Sequence, residues 1–217
     1  SEELAKAAMM GLTAAGGSVV DLGVCPTPTV VHFVRQQGLR GGLVITASHN
    51  PAEWNGMKFV HSSGRFLSPE EFALFRAKVA KVKSGSGSGA ANTGAGSVAA
   101  DGVAGHIAAI GESSLLQGID GKGLRIGVDA VDGAAAVAAP RLLQRLGCTV
   151  RAVFCSIGGN KNFPRAPEPR AENLSVLCDL VRQEQLDAGF AFDPDGDRFS
   201  CVDELGVPLG EEATLAL

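Results

Sequence analysis

Strand-like and helix-like stretches alternate along nearly all of this chain, and few architectures accept that rhythm. "SVVDLG" (18–23), "GGLVITA" (41–47), "MKFV" (57–60), "LRIGVDA" (124–130), "CTVRAVF" (148–154), "AGFAF" (188–192) and "FSCVD" (199–203) are short apolar runs rich in β-branched residues. Between them lie helical signals. Leu4, Ala8, Met9 and Leu12 recur at helical spacing ahead of Gly16-Gly17. "TPTVVHFVRQQG" has Thr27 as cap and Pro28 in the first turn, where a missing N–H costs nothing. Ser68, Pro69 and Glu71 form a cap, proline and capping-box start. "HIAAIGESSLL", "GAAAVAAPRLLQRLG" and "ENLSVLCDLVRQEQL" each read as a helix, the last with Leu174, Leu177, Leu180 and Val181 on one face. Strand–helix alternation predicts α/β architecture, with mostly parallel (mixed) sheets covered by helices. Such sheets bind ligands at the carboxyl ends of their strands.

One segment breaks the rhythm. From Lys83 to about Gly105 small residues dominate and nothing large and apolar can pack. This predicts two successive α/β domains, 1–90 and 105–217, with a Gly/Ser/Ala-rich linker at 91–104.

Composition narrows the function classes. Apolar residues make up 45% of the 217 residues, enough for a real core. The formal net charge is −4 and no run of lysine or arginine occurs, which argues against nucleic acid or an anionic membrane as partner. No apolar run approaches the ~20 residues that span a bilayer. "SEELAKAAMMGL" reads as an amphipathic helix rather than a signal peptide. Five cysteines with no CxxC pair speak against a disulfide framework or a zinc site, and for core thiols in a reducing cytoplasm.

Chemistry concentrates in two places. "GFAFDPDGDRFSCVDE" (189–204) sets Asp193, Asp195 and Asp197 at i, i+2 and i+4 behind an apolar strand. A lone Asp beside Pro194 and Gly196 would be an ordinary turn residue. Three, bent toward one point, make an all-oxygen site for a hard cation such as Mg²⁺. An EF-hand loop would match these positions and Glu204, but its sixth position requires Gly and holds Arg198. The phosphohydrolase pattern Asp-x-Asp-Gly-Thr also fits apart from Asp197, yet only twenty residues follow. Arg198 makes sense if an anion binds the ion and the guanidinium together, and phosphate suits both.

The second place is "ITASHNPAEWNGMKF" (45–59). A strand ends at Ala47 and presents Ser48, followed by His49 and Asn50, an Asn55-Gly56 turn and Lys58. A polar loop with a helix cap would look similar. Neither Gly-x-Ser-x-Gly nor a Walker loop fits, so an acyl-transfer nucleophile is not indicated. Glu53 and Trp54 lie in the same loop, and Trp54 reads as a packing residue.

Taken together, Thr-Ala-Ser-His-Asn-Pro with Asn-Gly-x-Lys, and Asp-Pro-Asp-Gly-Asp-Arg 145 residues later, resemble the active-site and metal loops of the α-D-phosphohexomutases, the phosphoglucomutase, phosphomannomutase and phosphoglucosamine mutase superfamily. "VVDLGVCPTP" (19–28) and "PEPRAENLSVL" (167–177) are similar to segments of that family's first and second domains. The resemblance implies a phosphoserine at Ser48, with Mg²⁺ between it and Asp193, Asp195 and Asp197. It implies that Arg198 and Asn50 help bind phosphate, that Lys58 moves a proton at the sugar hydroxyl, and that His49 and Asn50 shape the loop. The reaction implied interconverts a hexose 1-phosphate and 6-phosphate through a hexose 1,6-bisphosphate. Residues 1–90 would then be an N-terminally incomplete phosphoserine-loop domain and 105–217 the metal-loop domain. The sugar- and phosphate-binding domains of such an enzyme would lie outside this chain, as further parts of a full-length protein. Asp132 stands where that family commonly has Asn. The alternative from a different class is a non-catalytic metal- and phosphate-binding module on the same fold.

Overall fold

The computed structural model describes residues 2–51, 53–83, 97–158 and 162–216. These residues form α/β architecture and divide into two compact units whose sequence ranges interleave. The first holds 1–23, 30–46 and 55–101; the second holds 24–29, 47–54 and 102–217.

The first unit opens with α1 (Glu2–Ala14) and β1 (Val19–Asp21). Strands β2 (Gly41–Ile45) and β3 (Met57–His61) pair antiparallel, Val44 opposite Lys58. The helix α2 (Thr27–Gln36) supplies Val30 and Val34, which with Val44 and Val60 form the buried centre. Gly42 admits α2 closely: a Cβ there would lie 2.7 Å from the Val34 Cγ2. Helix α3 (Pro69–Lys83) begins as its capping box predicts. The Glu71 amide donates to Ser68 Oγ at 3.2 Å, and the Ser68 amide donates back to Glu71 Oε2 at 2.8 Å. Phe72 and Phe75 of α3 meet Phe59 of β3, with ring centroids 6.1 and 4.5 Å apart.

Strand β4 (Ser97–Ala99) pairs parallel with β1, and α4 (Gly102–Gly111) starts directly after it. Part of the stretch 91–104, read as linker, therefore carries regular structure, and α4 starts ahead of its expected position at His106. Backbone pairing supplies what this small-residue segment lacks in apolar side chains. Residues 91–96 lie outside the described residues.

The second unit is built on four strands in the order β6-β5-β7-β8: β5 (Arg125–Asp129), β6 (Thr149–Val153), β7 (Ala188–Phe192) and β8 (Phe199–Val202). The first three are mutually parallel and β8 runs antiparallel to β7. Alternation along β5 and β7 sends successive side chains to opposite faces. On one face Ile126 and Val128 pack with Ala139 and Leu143 of α5 (Ala139–Arg145). On the other, Ala191 and Val202 pack with Leu177, Cys178 and Val181 of α6 (Ser175–Glu184), and Gly127 and Gly189 leave room for Leu177. The expected single helix over 133–147 is instead a 3₁₀ turn at Ala134–Val137 followed by α5. Pro140, in the first turn of α5, has no N–H to donate backward and restricts Ala139, so a continuous α-helix cannot run through it. A last helix, α7 (Gly210–Ala216), packs on β8. Among the described residues no helix is long and apolar enough to cross a membrane.

Candidate functional site

The site is assembled within the second unit, from the β7–β8 connection and two short segments, 24–29 and 47–54. Strand β7 ends at Phe192 and the chain turns through Asp193–Arg198 before β8. The Asp193 carboxylate organises this turn: its Oδ1 accepts the backbone N–H groups of Asp197 and Arg198, both at 3.1 Å. The Gly196 amide donates to the Asp193 carbonyl at 3.1 Å, and Gly196 takes the left-handed conformation (φ 69°) that glycine tolerates.

This turn brings one carboxylate oxygen each of Asp193, Asp195 and Asp197 within 4.8 Å of one another. Asp193 and Asp195 are buried and Asp197 is exposed. Burial pushes the Asp193 carboxyl up to about 7; the Arg198 backbone N–H opposes the rise, and Asp195 and Asp197 add to it. Like charges desolvated together resist ionising unless a cation shares the site. The donors are all carboxylate oxygens, so the trio fits a hard divalent cation.

Thr27 holds Asp195 from 168 residues away. Its hydroxyl donates to Asp195 Oδ2 at 2.6 Å, and its amide donates to the Asp195 carbonyl at 2.8 Å. The hydroxyl read as a helix cap is thus directed at the acidic loop. Pro26 and Ala135 close on Gly196, where a Cβ would sit 3.2 and 3.4 Å from theirs.

Ser48 follows β2 and adopts φ 53°, the left-handed region that non-glycine residues avoid. Its Oγ lies 3.4 Å from Asp193 Oδ2 and 3.4 Å from His49 Nδ1, both at the long limit of hydrogen bonding. Asn50 braces the turn, its side-chain amide donating to the Ala47 carbonyl at 2.8 Å. Trp54, read as a packing residue, is instead 65% exposed, its amide donating to the Pro51 carbonyl at 3.0 Å. Lys58 belongs to the first unit, on β3, with its ammonium 5.8 Å from the Phe66 ring centroid.

Arg198 donates through Nη1 to Glu168 Oε1, and Arg170 forms an ion pair with the other Glu168 oxygen, Nε to Oε2 at 2.7 Å. Glu168, Arg165, Asp129 and Thr27 were not identified by sequence reasoning. For Thr27 and Glu168 the signals present were the segments containing "CPTP" and "PEPRAENL", which carried a likeness but no local pattern that assigns a role; Arg165 and Asp129 lie in neither segment.

Comparison with known proteins matches residues 1–85 to phosphoglucomutase/phosphomannomutase alpha/beta/alpha domain I, and residues 104–206 to domain II of the same family. A protein named "Probable phosphoglucosamine mutase" from Methanopyrus kandleri is 39% identical over 217 residues, covering 100% of this chain and 46% of its own length. The phosphomannomutase/phosphoglucomutase of Pseudomonas aeruginosa PAO1 is 33% identical, over 99% of this chain and 44% of its own. The chain thus spans about half the length of the curated relatives it matches. Among solved structures, a phosphoglucomutase/phosphomannomutase family protein from Burkholderia thailandensis superposes with a TM-score of 0.74 at 31% identity, covering 96% of this chain and 45% of that one.

Proposed function

The chain belongs to the phosphoglucomutase/phosphomannomutase family, and from that premise we propose that it carries the phosphoryl-transfer chemistry of a phosphohexomutase, with Ser48 as phosphoryl carrier. The observation that carries this reading is the placement of the Ser48 hydroxyl 3.4 Å from the Asp193 carboxylate, at the mouth of a three-carboxylate cluster. Residues 1–90 supply the carrier loop and 105–217 the acidic loop.

Asp193, Asp195 and Asp197, with Ser48 Oγ, would hold Mg²⁺. When bound, such an ion supplies charge neutralisation for the transferring group. The rest falls to the chain's own side chains. A phosphoryl group on Ser48 adds about −1.5 to −2 charges, and the Arg198 guanidinium can pair with its oxygens. Asn50 and His49 hold the loop that presents it, and the Asn50 amide can donate to phosphate. The substrate is a hexose monophosphate. Its free hydroxyl attacks phosphorus, the Ser48 Oγ–P bond breaks as the sugar O–P bond forms, a neutral Lys58 amine takes the hydroxyl proton, and the released Ser48 Oγ takes up a proton from solvent to regenerate its hydroxyl. The resulting hexose 1,6-bisphosphate returns its other phosphate to Ser48, which interconverts the 1- and 6-phosphates. A reducing cytoplasm suits the five free thiols.

The test is intact mass after incubation with a hexose 1,6-bisphosphate and Mg²⁺. One phosphate should be gained, lost again on adding hexose monophosphate, and absent in Ser48→Ala. A folded chain that gains none is a binding module and not a phosphoryl carrier.

A further inference from the structure

We infer that Arg165 and Glu168, on one irregular segment between β6 and α6, are positioning residues for the phosphoryl-transfer site: Arg165 sets the carboxylate trio, and Glu168 sets the Arg198 guanidinium. The inference rests on the reading of the site given above.

Arg165 is almost fully enclosed, its side chain 7% exposed and that of its partner Asp129 1% exposed. A guanidinium has five N–H donors, and five bonds leave this one. Nε donates to Asp129 Oδ2 at 2.7 Å and Nη2 to Asp129 Oδ1 at 3.0 Å. Nη2 also donates to the Phe192 carbonyl at 2.8 Å. Nη1 donates to the carbonyls of Ala166 and Pro167 at 2.9 and 3.3 Å. With every donor committed, this cation is not a ligand receptor. It ties the last residue of β5 to the last residue of β7, two strands that are parallel neighbours. The Phe192 carbonyl shares a rigid peptide plane with the Asp193 amide. Fixing that carbonyl therefore fixes the angle at which the acidic turn leaves the sheet. Lysine cannot replace a planar fork that spans a carboxylate and a carbonyl together.

Glu168 lies three residues on, with its own carbonyl accepting the Asn173 side-chain amide at 2.9 Å. Its side chain is 18% exposed and receives Arg198 on one oxygen and Arg170 on the other. An arginine directly after Asp197 is attracted toward the carboxylates by charge alone. Glu168 supplies the competing anchor, and Arg170 holds its second oxygen. One short segment thereby orients both the cation-holding and the anion-holding parts of the site, through separate side chains.

Separate side chains predict separable defects, which general loosening of the fold does not produce. The probes are MnCl₂ alone, titrated by calorimetry into the 217-residue chain, and inorganic phosphate titrated at saturating Mg²⁺ and read from the fluorescence of Trp54, the one tryptophan. In Arg165→Lys, Mn²⁺ affinity should fall about tenfold, as loss of partners behind metal ligands does elsewhere. In Glu168→Gln, Mn²⁺ affinity should stay at the wild-type value while phosphate binding weakens several-fold. Should Arg165→Lys fail to fold by circular dichroism, the paired variant Asp129→Leu/Arg165→Met replaces both buried charges with apolar groups, a change folds commonly accept. It should show the same Mn²⁺ defect. Folded Arg165 variants that bind Mn²⁺ like wild type, or a Glu168→Gln that binds phosphate like wild type, overturn the inference while leaving the site reading intact. A wild-type chain that takes up no Mn²⁺ overturns the site reading itself, and the inference with it.

Discussion

Ser48 sits at φ 53°, and a left-handed backbone costs a residue with a Cβ about 1–2 kcal/mol. The strained turn directs Oγ toward Asp193, as strain at a reacting group commonly does. Ser48→Gly and Ser48→Ala both remove the hydroxyl, but only glycine relieves the strain. Urea unfolding should find the glycine variant more stable than the alanine variant by about 1 kcal/mol, after glycine's own entropic cost; equal stabilities would remove the strain argument. Gly133 makes the complementary case. A Cβ there would fall 2.5 Å from the Pro194 carbonyl oxygen and 2.6 Å from the Pro194 Cα, so backbone rather than a flexible side chain must yield. Gly133→Ala should cost about 1–3 kcal/mol, and Mn²⁺ affinity should fall with it, because the atoms displaced lie between Asp193 and Asp195. An unchanged denaturation midpoint would show the loop to be more pliable than its packing indicates. The convergence of the carboxylate trio was legible in the sequence because its pattern is local, complete within five residues, whereas Ser48 stood out only through the family resemblance its loop shares with the aspartate loop 145 residues later. Thr27 was legible only as a helix cap, since its partner Asp195 is 168 residues away. Arg165 and Asp129, 36 apart, meet only once β5 and β7 lie side by side.

Elements coded by short-range chemistry matched their sequence signals, and α3 is the clearest. Ser68 and Glu71 form the reciprocal capping bonds, and Arg65 adds a two-pronged pair to Glu71, with both nitrogens at 2.7 Å. The Arg65 bonds, helped by the Ser68 amide, hold the Glu71 carboxyl down at about 2. Because the folded value lies below the ordinary one, the contribution of Glu71 is complete above about pH 4.5. It is lost as pH falls from there toward 2. A carboxyl NMR titration should place the Glu71 midpoint near 2, and Arg65→Met should return it toward the ordinary glutamate value; a midpoint indifferent to Arg65 would assign the shift to the cap alone. Elements that depend on distant pairing were less legible. Strand β4 lies in a run of small residues whose strand character comes from β1, and no periodicity announces it. The break before α5 was legible in principle from Pro140, but the alanine-rich run around it masked the stop.

At the scale of the molecule, the two compact units change over at 101/102, inside the stretch read as linker, but they also interleave earlier in the sequence. Residues 24–29 and 47–54 belong with the second unit, although both lie well before that stretch in sequence. The α/β class itself was legible because strand–helix alternation is a property of the whole chain. The interleaving was not, since it arises from which loops close on Asp195, Gly196 and Asp193, and composition carries no record of that. A piece beginning at Gly102 tests the consequence. It keeps β5–β8 and both apolar clusters around the sheet, all of whose members lie beyond residue 125. It should therefore fold, with a cooperative melt by circular dichroism. It loses Ser48, the Pro26 contact with Gly196 and both Thr27 bonds to Asp195. Calorimetry should then find Mn²⁺ bound about tenfold more weakly than by the 217-residue chain, the range expected when a ligand's supporting hydrogen bonds are removed. Thr27→Val in the full chain, which deletes only the hydroxyl bond, should reproduce part of that loss. If the folded piece binds Mn²⁺ as the full chain does, the acidic turn is self-sufficient, and segments 24–29 and 47–54 serve the phosphoryl group alone.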